Sequence, residues 1–273
     1  MSSTDTASTA IGIIGNITAV LLFLSPAPTF FEIWRKKSSG SYSGVPYVSS
    51  LANCLLWVFY GLPILTQGLV LVITINGFGV VLESIYLAIF VPFSHGRERM
   101  RMLVFIAVVL IVYAIIVILT LEVLPNGKKA MFVGIIAAVI NTVMYAAPLA
   151  VMKHVITTKN VESMPFLLSL CTFINSCLWA IYGILKVDPY IIIPNVLGVI
   201  FGIMQLVLYG YYRDYDTRVV PIDVDDSMTS HRKKKEVIQE ANQAKHMANY
   251  YSNQSDGTPP PSPNCARTIY YSD

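Results

Sequence analysis

Amide and indole side chains recur in pairs within apolar stretches of this chain. Asn76 returns as Asn195, each with a glycine three residues later, and Trp57 returns as Trp179, each with Tyr-Gly beginning three residues later. A carboxamide in hydrocarbon is costly unless it is hydrogen-bonded, so such residues usually face the interior of a helix bundle. Each carboxamide offers two N–H donors and an oxygen that accepts twice, which suits a ligand covered in hydroxyls. Hydrogen bonding between helices is the alternative role for the two asparagines.

The tryptophans add flat apolar surfaces to the same region. Trp57 and Trp179 are predicted near the middle of their helices, away from the membrane interfaces where tryptophan is favoured. Asn53 and Asn175 precede them by one helical turn and share their face. Flat rings beside paired amides fit a ligand with C–H faces and hydroxyl edges, as in a pyranose. A single aromatic could be mere packing, but the twofold repetition of amides and indoles predicts a binding site.

Four prolines also occupy matched positions. The paired residues above indicate that the chain contains two copies of a three-helix unit, here called repeats. Pro26 and Pro148 are predicted inside the first helix of each repeat, and Pro46 and Pro165 begin the second helix. An interior proline removes a backbone hydrogen bond and kinks the helix. Kinked helices are common in membranes, but four prolines at equivalent positions on one side predict a gate there.

A second gate is predicted at the opposite end of the bundle. Tyr60 and Tyr182 lie three residues beyond the tryptophans, and Asp188 is in the last outer loop. These side chains could close the end by hydrogen bonding, and anchoring at the membrane interface is the alternative. Glu83 is the only carboxylate deep in an apolar span, where it could pair structurally or carry a proton.

The elements that position these residues are predicted to be membrane-spanning helices. The chain is 55% hydrophobic and only 13% charged, against about 25% charged residues in soluble domains. A span needs about 20 apolar residues and must satisfy its own backbone, which favours helices. The first span lacks a basic segment before it, unlike a signal peptide. The seven predicted spans are roughly 10–33, 46–66, 69–92, 102–122, 130–153, 165–186 and 189–212.

The duplication predicts an all-α membrane protein with two three-helix repeats joined by a linker helix, a 3+1+3 arrangement. Three crossings end on the side of the membrane opposite to the one on which they began. The fourth span returns the chain to the starting side, so the second repeat has the same orientation as the first and the repeats are parallel. The predicted segments are an extracellular N-terminus over 1–9, the first repeat over 10–92, a linker with the fourth span over 93–129, the second repeat over 130–212, and a disordered cytosolic tail over 213–273.

The distribution of basic residues predicts the orientation. Lysine and arginine concentrate on one side, which is therefore expected to be cytosolic, with the N-terminus outside. The plasma membrane is the expected location, since no retention signal is seen. The basic side carries Arg35, Lys36, Lys37, Arg97, Arg99, Arg101, Lys153, Lys159 and Arg213, and the other side only Lys128, Lys129 and Lys186.

Other classes of function lack their sequence signals. There is no hydrolytic triad, phosphate-binding loop or zinc pattern, so we expect neither an enzyme nor a cofactor or metal site. The net charge of +3 reflects topology and does not predict nucleic-acid binding. The four cysteines, Cys54, Cys171, Cys177 and Cys265, are expected to be free thiols.

Seven short strings within residues 10–212 resemble the plant SWEET sugar facilitators of the PQ-loop superfamily. They are Leu24–Pro26, Tyr42–Pro46, Asn53–Trp57, Thr74–Gly77, Met144–Pro148, Val161–Pro165 and Ile193–Asn195. The resemblance implies the 3+1+3 fold and passive, bidirectional, low-affinity movement of mono- or disaccharides by alternating access.

The resemblance also implies roles for individual residues. It assigns the sugar site to Asn76, Asn195, Trp179 and the position of Trp57, where some members of the family have a small residue. The bulk of Trp57 could narrow the pocket. The resemblance places the inner gate at the four prolines, and the outer gate at Tyr60, Tyr182 and Asp188.

The sequence therefore favours a sugar uniporter in a lipid bilayer, with a glucose-type hexose as the favoured substrate and sucrose as a possible one. A homo- or hetero-oligomer is expected. Two alternatives stay open: a proton-coupled carrier of the PQ-loop type that uses Glu83, and a seven-helix receptor, which has no need of repeated polar pairs.

Overall fold

Every regular element in the computed structural model, which describes residues 3–214, is a helix. The nine α-helices are α1 (Ser3–Leu24), α2 (Ala27–Lys36), α3 (Val45–Gly61), α4 (Val70–Phe93), α5 (Gly96–Ile118), α6 (Asn126–Val143), α7 (Ala146–Thr158), α8 (Phe166–Lys186) and α9 (Pro189–Tyr212). A single π-helical turn, Leu119–Val123, extends α5.

Six helical segments in the described part of the chain are long and apolar enough to cross a membrane. Two of them join a pair of helices, since α1 continues into α2 and α6 into α7. The seventh span is α3, whose 17 residues lie at the lower limit for a crossing. The protein is thus an all-α membrane protein with two three-helix repeats, α1–α4 and α6–α9, and α5 as the linker helix.

Proline breaks the first span of each repeat into two helices, where a kinked single helix was predicted. Pro26 lies in the break between α1 and α2, and Pro148 lies in the first turn of α7, just after the second break. A proline cannot donate to the carbonyl four residues before it. In both breaks the preceding residue donates instead: Ser25 N–H to the Leu22 carbonyl and Ala147 N–H to the Met144 carbonyl.

Three helices have limits that differ by several residues from those of the predicted spans. Helix α1 begins at Ser3, and the hydroxyls of Ser8 and Thr9 bond back to the Asp5 carbonyl within this polar first part. Helix α3 ends at Gly61, since Leu62 precedes a proline and takes the extended conformation that such a position favours. Helix α5 already begins at Gly96.

The two repeats meet along two helix pairs: α1 packs on α8, and α3 packs on α6. A central apolar cluster at this junction includes Trp57, Tyr60, Trp179 and Tyr182. The linker α5 packs on α3; Met102 is its one fully buried residue, and Phe105, Val109 and Tyr113 are partly buried against the core. The predicted tail lies outside the described residues, apart from Arg213 and Asp214.

Candidate functional site: a polar cavity between the repeats

A cavity of about 220 Å³ lies at the junction of the two repeats. All six side chains predicted to bind a ligand line it, three from each repeat. They are Asn53, Trp57 and Asn76 from the first repeat and Asn175, Trp179 and Asn195 from the second. The structure therefore brings the predicted set together in one place, and its role in binding stays a prediction.

Asn76 and Asn195 adopt the same local geometry in the two repeats. The Nδ2 of Asn76 donates to the Val72 carbonyl at 2.9 Å, and that of Asn195 donates to the Ile191 carbonyl at 2.8 Å. Each bond uses one of two N–H groups and fixes the side chain against its own helix. Neither Oδ1 accepts a hydrogen bond within residues 3–214, so each amide keeps an acceptor and a donor for a ligand.

Asn53 and Asn175 are equivalent in sequence but differ in their partners. The Oδ1 of Asn175 accepts a hydrogen bond from Thr18 Oγ1 at 2.9 Å, which joins α8 to α1 of the other repeat. The Oδ1 of Asn53 is buried and has no partner in the described chain. The residue equivalent to Thr18 is Ile140, which has no hydroxyl to offer. An unsatisfied buried acceptor costs about 1–3 kcal/mol.

The two indoles are almost fully buried in the walls of the cavity. Trp57 is 6% exposed and Trp179 is 8% exposed. Each packs edge-to-face on the tyrosine one turn later, with ring centroids 5.6 Å apart for Trp57–Tyr60 and 5.2 Å for Trp179–Tyr182. Because their neighbours hold them on several sides, the rings present fixed apolar surfaces to the cavity.

One end of the bundle is closed by a buried hydrogen bond between the repeats. Tyr60 donates its hydroxyl to Asp188 Oδ2 at 2.8 Å. The other carboxylate oxygen, Oδ1, caps α9 by accepting from the backbone N–H groups of Tyr190 and Ile191. Tyr182 is buried beside this pair, but its hydroxyl makes no hydrogen bond among the described residues. Of the predicted outer gate, only Tyr60 and Asp188 are joined.

The four prolines form no comparable closure. Pro46 and Pro165 are exposed, while Pro26 and Pro148 are half-buried. Pro46 lies in the first turn of α3, and Pro165 is the N-cap of α8, which agrees with their predicted positions at the helix starts. The predicted inner gate is therefore not joined by a bond like that between Tyr60 and Asp188.

Sequence reasoning missed four polar residues of the cavity wall, all in the second repeat: Asn141, Tyr145, Thr172 and Ser176. Their spacing along the sequence could have identified them as residues of one helix face. Thr172, Asn175, Ser176 and Trp179 follow the i, i+3, i+4, i+7 pattern of one helix face, and Asn141 and Tyr145 lie one turn apart.

A glycine makes room for two of these residues. Tyr145 donates to the Pro194 carbonyl at 2.9 Å and lies against α9 at Gly198. A Cβ at Gly198 would stand 2.3 Å from the Tyr145 hydroxyl oxygen and 2.5 Å from Ser176 Oγ. The equivalent Gly79 gives the same room to Phe23 and Cys54.

Ionisable residues contribute little to this site. Glu83 is 4% exposed with its Oε2 unpartnered within residues 3–214, but it does not line the cavity. Among the described residues, no three His, Cys, Asp or Glu side chains come together as metal ligands. Cys54, Cys171 and Cys177 are free thiols, and Cys265 lies outside the described residues.

The fold and the cavity define a class: small membrane carriers built from two parallel three-helix repeats around a polar chamber. Residues 9–98 and 131–217 match the family described as "Sugar efflux transporter for intercellular exchange". The two matched segments contain α1–α4 and α6–α9, apart from the first residues of α1 and of α6, with most of α5 between them.

Individual relatives agree with this match. The chain is 49% identical over 213 residues to "Bidirectional sugar transporter SWEET4" of Oryza sativa subsp. indica, covering 78% of this chain and 82% of that one. It is 44% identical over 215 residues to "Bidirectional sugar transporter SWEET5" of Arabidopsis thaliana, covering 78% and 90%. It is also similar to a solved structure, "The 3.7 A resolution structure of a eukaryotic SWEET transporter", with a TM-score of 0.75, 41% identity, and coverage of 78% of this chain and 100% of that one.

The chain belongs to the SWEET family. Parallel repeats related by an axis along the membrane normal are a known property of SWEET proteins, so the repeat arrangement described above is that of the family.

Proposed function

We propose that this protein is a bidirectional sugar uniporter that works by alternating access across a membrane. The relatives named above are called bidirectional sugar transporters, and this chain spans most of their length. The observation that carries the proposal is the cavity between the repeats, where paired carboxamides keep free hydrogen-bonding groups beside two fixed indoles. Passive transport needs no energy source, since a sugar that binds from either side equilibrates across the membrane.

The sugar lies between Asn76 and Asn195, which bond its hydroxyls from opposite walls. Asn53 and Asn175, which also line the cavity, complete the set of four amides. Stacking of the pyranose C–H faces on Trp57 and Trp179 supplies the apolar part of the binding. Because Trp57 adds a large ring to the wall, a glucose-type hexose is the preferred substrate, and sucrose is the alternative.

The two ends of the bundle act as the gates of the cycle. Tyr60 and Asp188 hold the outer end shut, while Pro26, Pro46, Pro148 and Pro165 mark the inner end. The distribution of basic residues supports a cytosolic inner end and an N-terminus outside. The plasma membrane is the proposed location, and the protein works in a homo- or hetero-oligomer.

Flux of labelled glucose and sucrose into proteoliposomes tests the proposal directly. The expected result is equilibration of glucose in both directions, with no accumulation above the external concentration when a proton gradient is imposed. Liposomes that take up neither sugar, with protein shown to be folded and inserted, would overturn it.

A proton-coupled carrier is the second candidate, because a buried acid with an unpartnered oxygen is a functional candidate within a membrane. Glu83 is that acid, but it does not line the cavity, which argues for a structural role. Accumulation of sugar driven by a proton gradient would favour this candidate over the uniporter.

A further inference from the structure

An apolar groove with two arginines at one end runs along the linker helix α5. Its volume is about 560 Å³. The groove lies between the first turns of α5 and the start of α3 and is separate from the central cavity. The side chains that matter here are Val45, Arg97, Arg101, Val104, Phe105 and Val108.

The groove is lined almost entirely by apolar atoms, and two arginines on the same helix face stand at one end of it. Arg97 and Arg101 are four residues apart near the start of α5, so they lie one above the other on its surface. Val104 and Val108 continue the same face toward the middle of the membrane and are 54% and 49% exposed. The arginines are therefore at the level of the lipid headgroups, and the apolar floor is at the level of the acyl chains.

The two arginines are available to a ligand. Arg97 makes no hydrogen bond or ion pair with any residue of the range 3–214. Arg101 contacts Glu98 through Nη1 at 3.0 Å, and its side chain is 69% exposed. Arg99 differs, because its guanidinium donates to the Val91 and Pro92 carbonyls and so holds the end of α4.

We propose that this groove binds an anionic glycerophospholipid, with one acyl chain along the valines and the phosphate between Arg97 and Arg101. Guanidinium groups pair with phosphate through two parallel hydrogen bonds, which suits them better than lysine for a fixed headgroup. The other basic residues at this end, which include Arg35, Lys36 and Lys37, favour an anionic headgroup over a zwitterionic one. Only the identity of the leaflet rests on the orientation proposed above.

The bound lipid would also support the start of α3. Val45 is part of the groove and precedes Pro46 of the proposed inner gate. Helix α5 already packs closely here, since a Cβ on Gly44 would stand 2.6 Å from Met102 Sδ. An acyl chain in the groove would hold α3 and α5 together, so the lipid is expected to raise the melting temperature.

Native mass spectrometry of the full chain, with phosphatidylglycerol or phosphatidylcholine of the same acyl chains, tests the site. Wild-type protein is expected to retain phosphatidylglycerol at least fivefold better. The double substitution Arg97→Gln and Arg101→Gln is expected to reduce this retention to the level of phosphatidylcholine. Arg213→Gln is the matched control, because Arg213 is a basic residue that pairs with Asp214 and does not line the groove. It is expected to retain the lipid as the wild type does.

A second variant tests the apolar part of the groove. Val104→Trp fills the groove without changing charge and is expected to reduce retention of phosphatidylglycerol severalfold. Soluble glycerol phosphate is expected not to displace the lipid, because it has no acyl chain. Equal retention of the two lipids by wild-type protein would overturn the proposal, and so would undiminished retention by the folded Val104→Trp variant. Because the experiment measures lipid binding, a finding that the protein does not transport sugar would leave this proposal unaffected.

Discussion

The two repeats share a fold but line the cavity unequally. Three matched pairs, two of asparagine and one of tryptophan, are common to both walls. The second repeat then adds Asn141 and Tyr145, where the first has Ala19 and Phe23 at the equivalent positions. Polar groups therefore concentrate on one wall. We infer that the matched pairs form the general sugar site and that the second repeat faces the edge of the sugar richest in hydroxyls.

The largest expected effect comes from breaking the matched pair of carboxamides. Asn76→Ala or Asn195→Ala is expected to lower sugar flux by about tenfold or more, since each lost hydrogen bond to a buried hydroxyl costs about 1–3 kcal/mol. Uptake by proteoliposomes at equal protein content measures it. Asn160→Ala removes a carboxamide from a loop outside the cavity and serves as the control. Near-normal uptake by both cavity variants would refute the site.

The two repeats also differ at the proposed outer gate, where the Tyr60 hydroxyl has a partner and the Tyr182 hydroxyl has none among the described residues. Tyr60→Phe removes the bond to Asp188 and is expected to change flux about fivefold, which corresponds to about 1 kcal/mol. It is also expected to expose a cysteine introduced at Ser176 to reagents added outside. Tyr182→Phe is the matched control, because its hydroxyl has no partner in the described chain. Identical behaviour of the two variants would mean that the bond does not gate the cavity.

Trp57 and Trp179 test whether the repeats set substrate size differently. Loss of a stacking ring costs about 0.5–1.5 kcal/mol, so Trp57→Ala is expected to weaken glucose transport about twofold to tenfold. Sucrose transport is expected to improve at the same time, because the cavity widens. Flux of the two sugars measured side by side decides the question. A proportional loss of both would mean that the ring only packs.

A smaller effect is expected from giving Asn53 the partner that Asn175 already has. Ile140→Thr places a hydroxyl where the second repeat lacks the equivalent of Thr18. Satisfying the buried oxygen is expected to stabilise the fold by about 1 kcal/mol, or about 2–4 °C in melting temperature. The reverse change, Thr18→Ile, is expected to lower the melting temperature by a similar amount. An unchanged melting temperature in both variants would show that these oxygens are satisfied otherwise.

The smallest effect is expected at Glu83, whose equivalent in the second repeat is Gly202. Glu83→Gln keeps the size of the side chain but cannot carry a proton across the membrane. Sugar equilibration is expected to stay within about twofold of wild type, a change of under about 0.5 kcal/mol. Proton-driven accumulation that disappears in this variant would replace the uniporter with the coupled carrier.

The sequence predicted the repeats and the paired site because duplication leaves the same residue types at the same spacing. The asymmetric residues were missed for the same reason: Asn141 and Tyr145 have no polar counterpart, so a search for pairs passes over them. Several helix ends also differ from the limits of the predicted spans. Hydropathy alone does not register that Ser8 and Thr9 bond to the helix backbone, or that Pro63 ends α3 early.

The two carboxylate oxygens of Asp188 have different hydrogen-bond partners. Oδ1 remains on the N-terminal amides of α9, while Oδ2 alone meets Tyr60. Opening the proposed gate therefore costs one hydrogen bond and leaves the helix cap intact. The carboxylate keeps its orientation in the open state, so reclosure does not have to order this side chain again. Reclosing this gate then requires Tyr60 to return to an acceptor that the helix cap of the second repeat keeps in place.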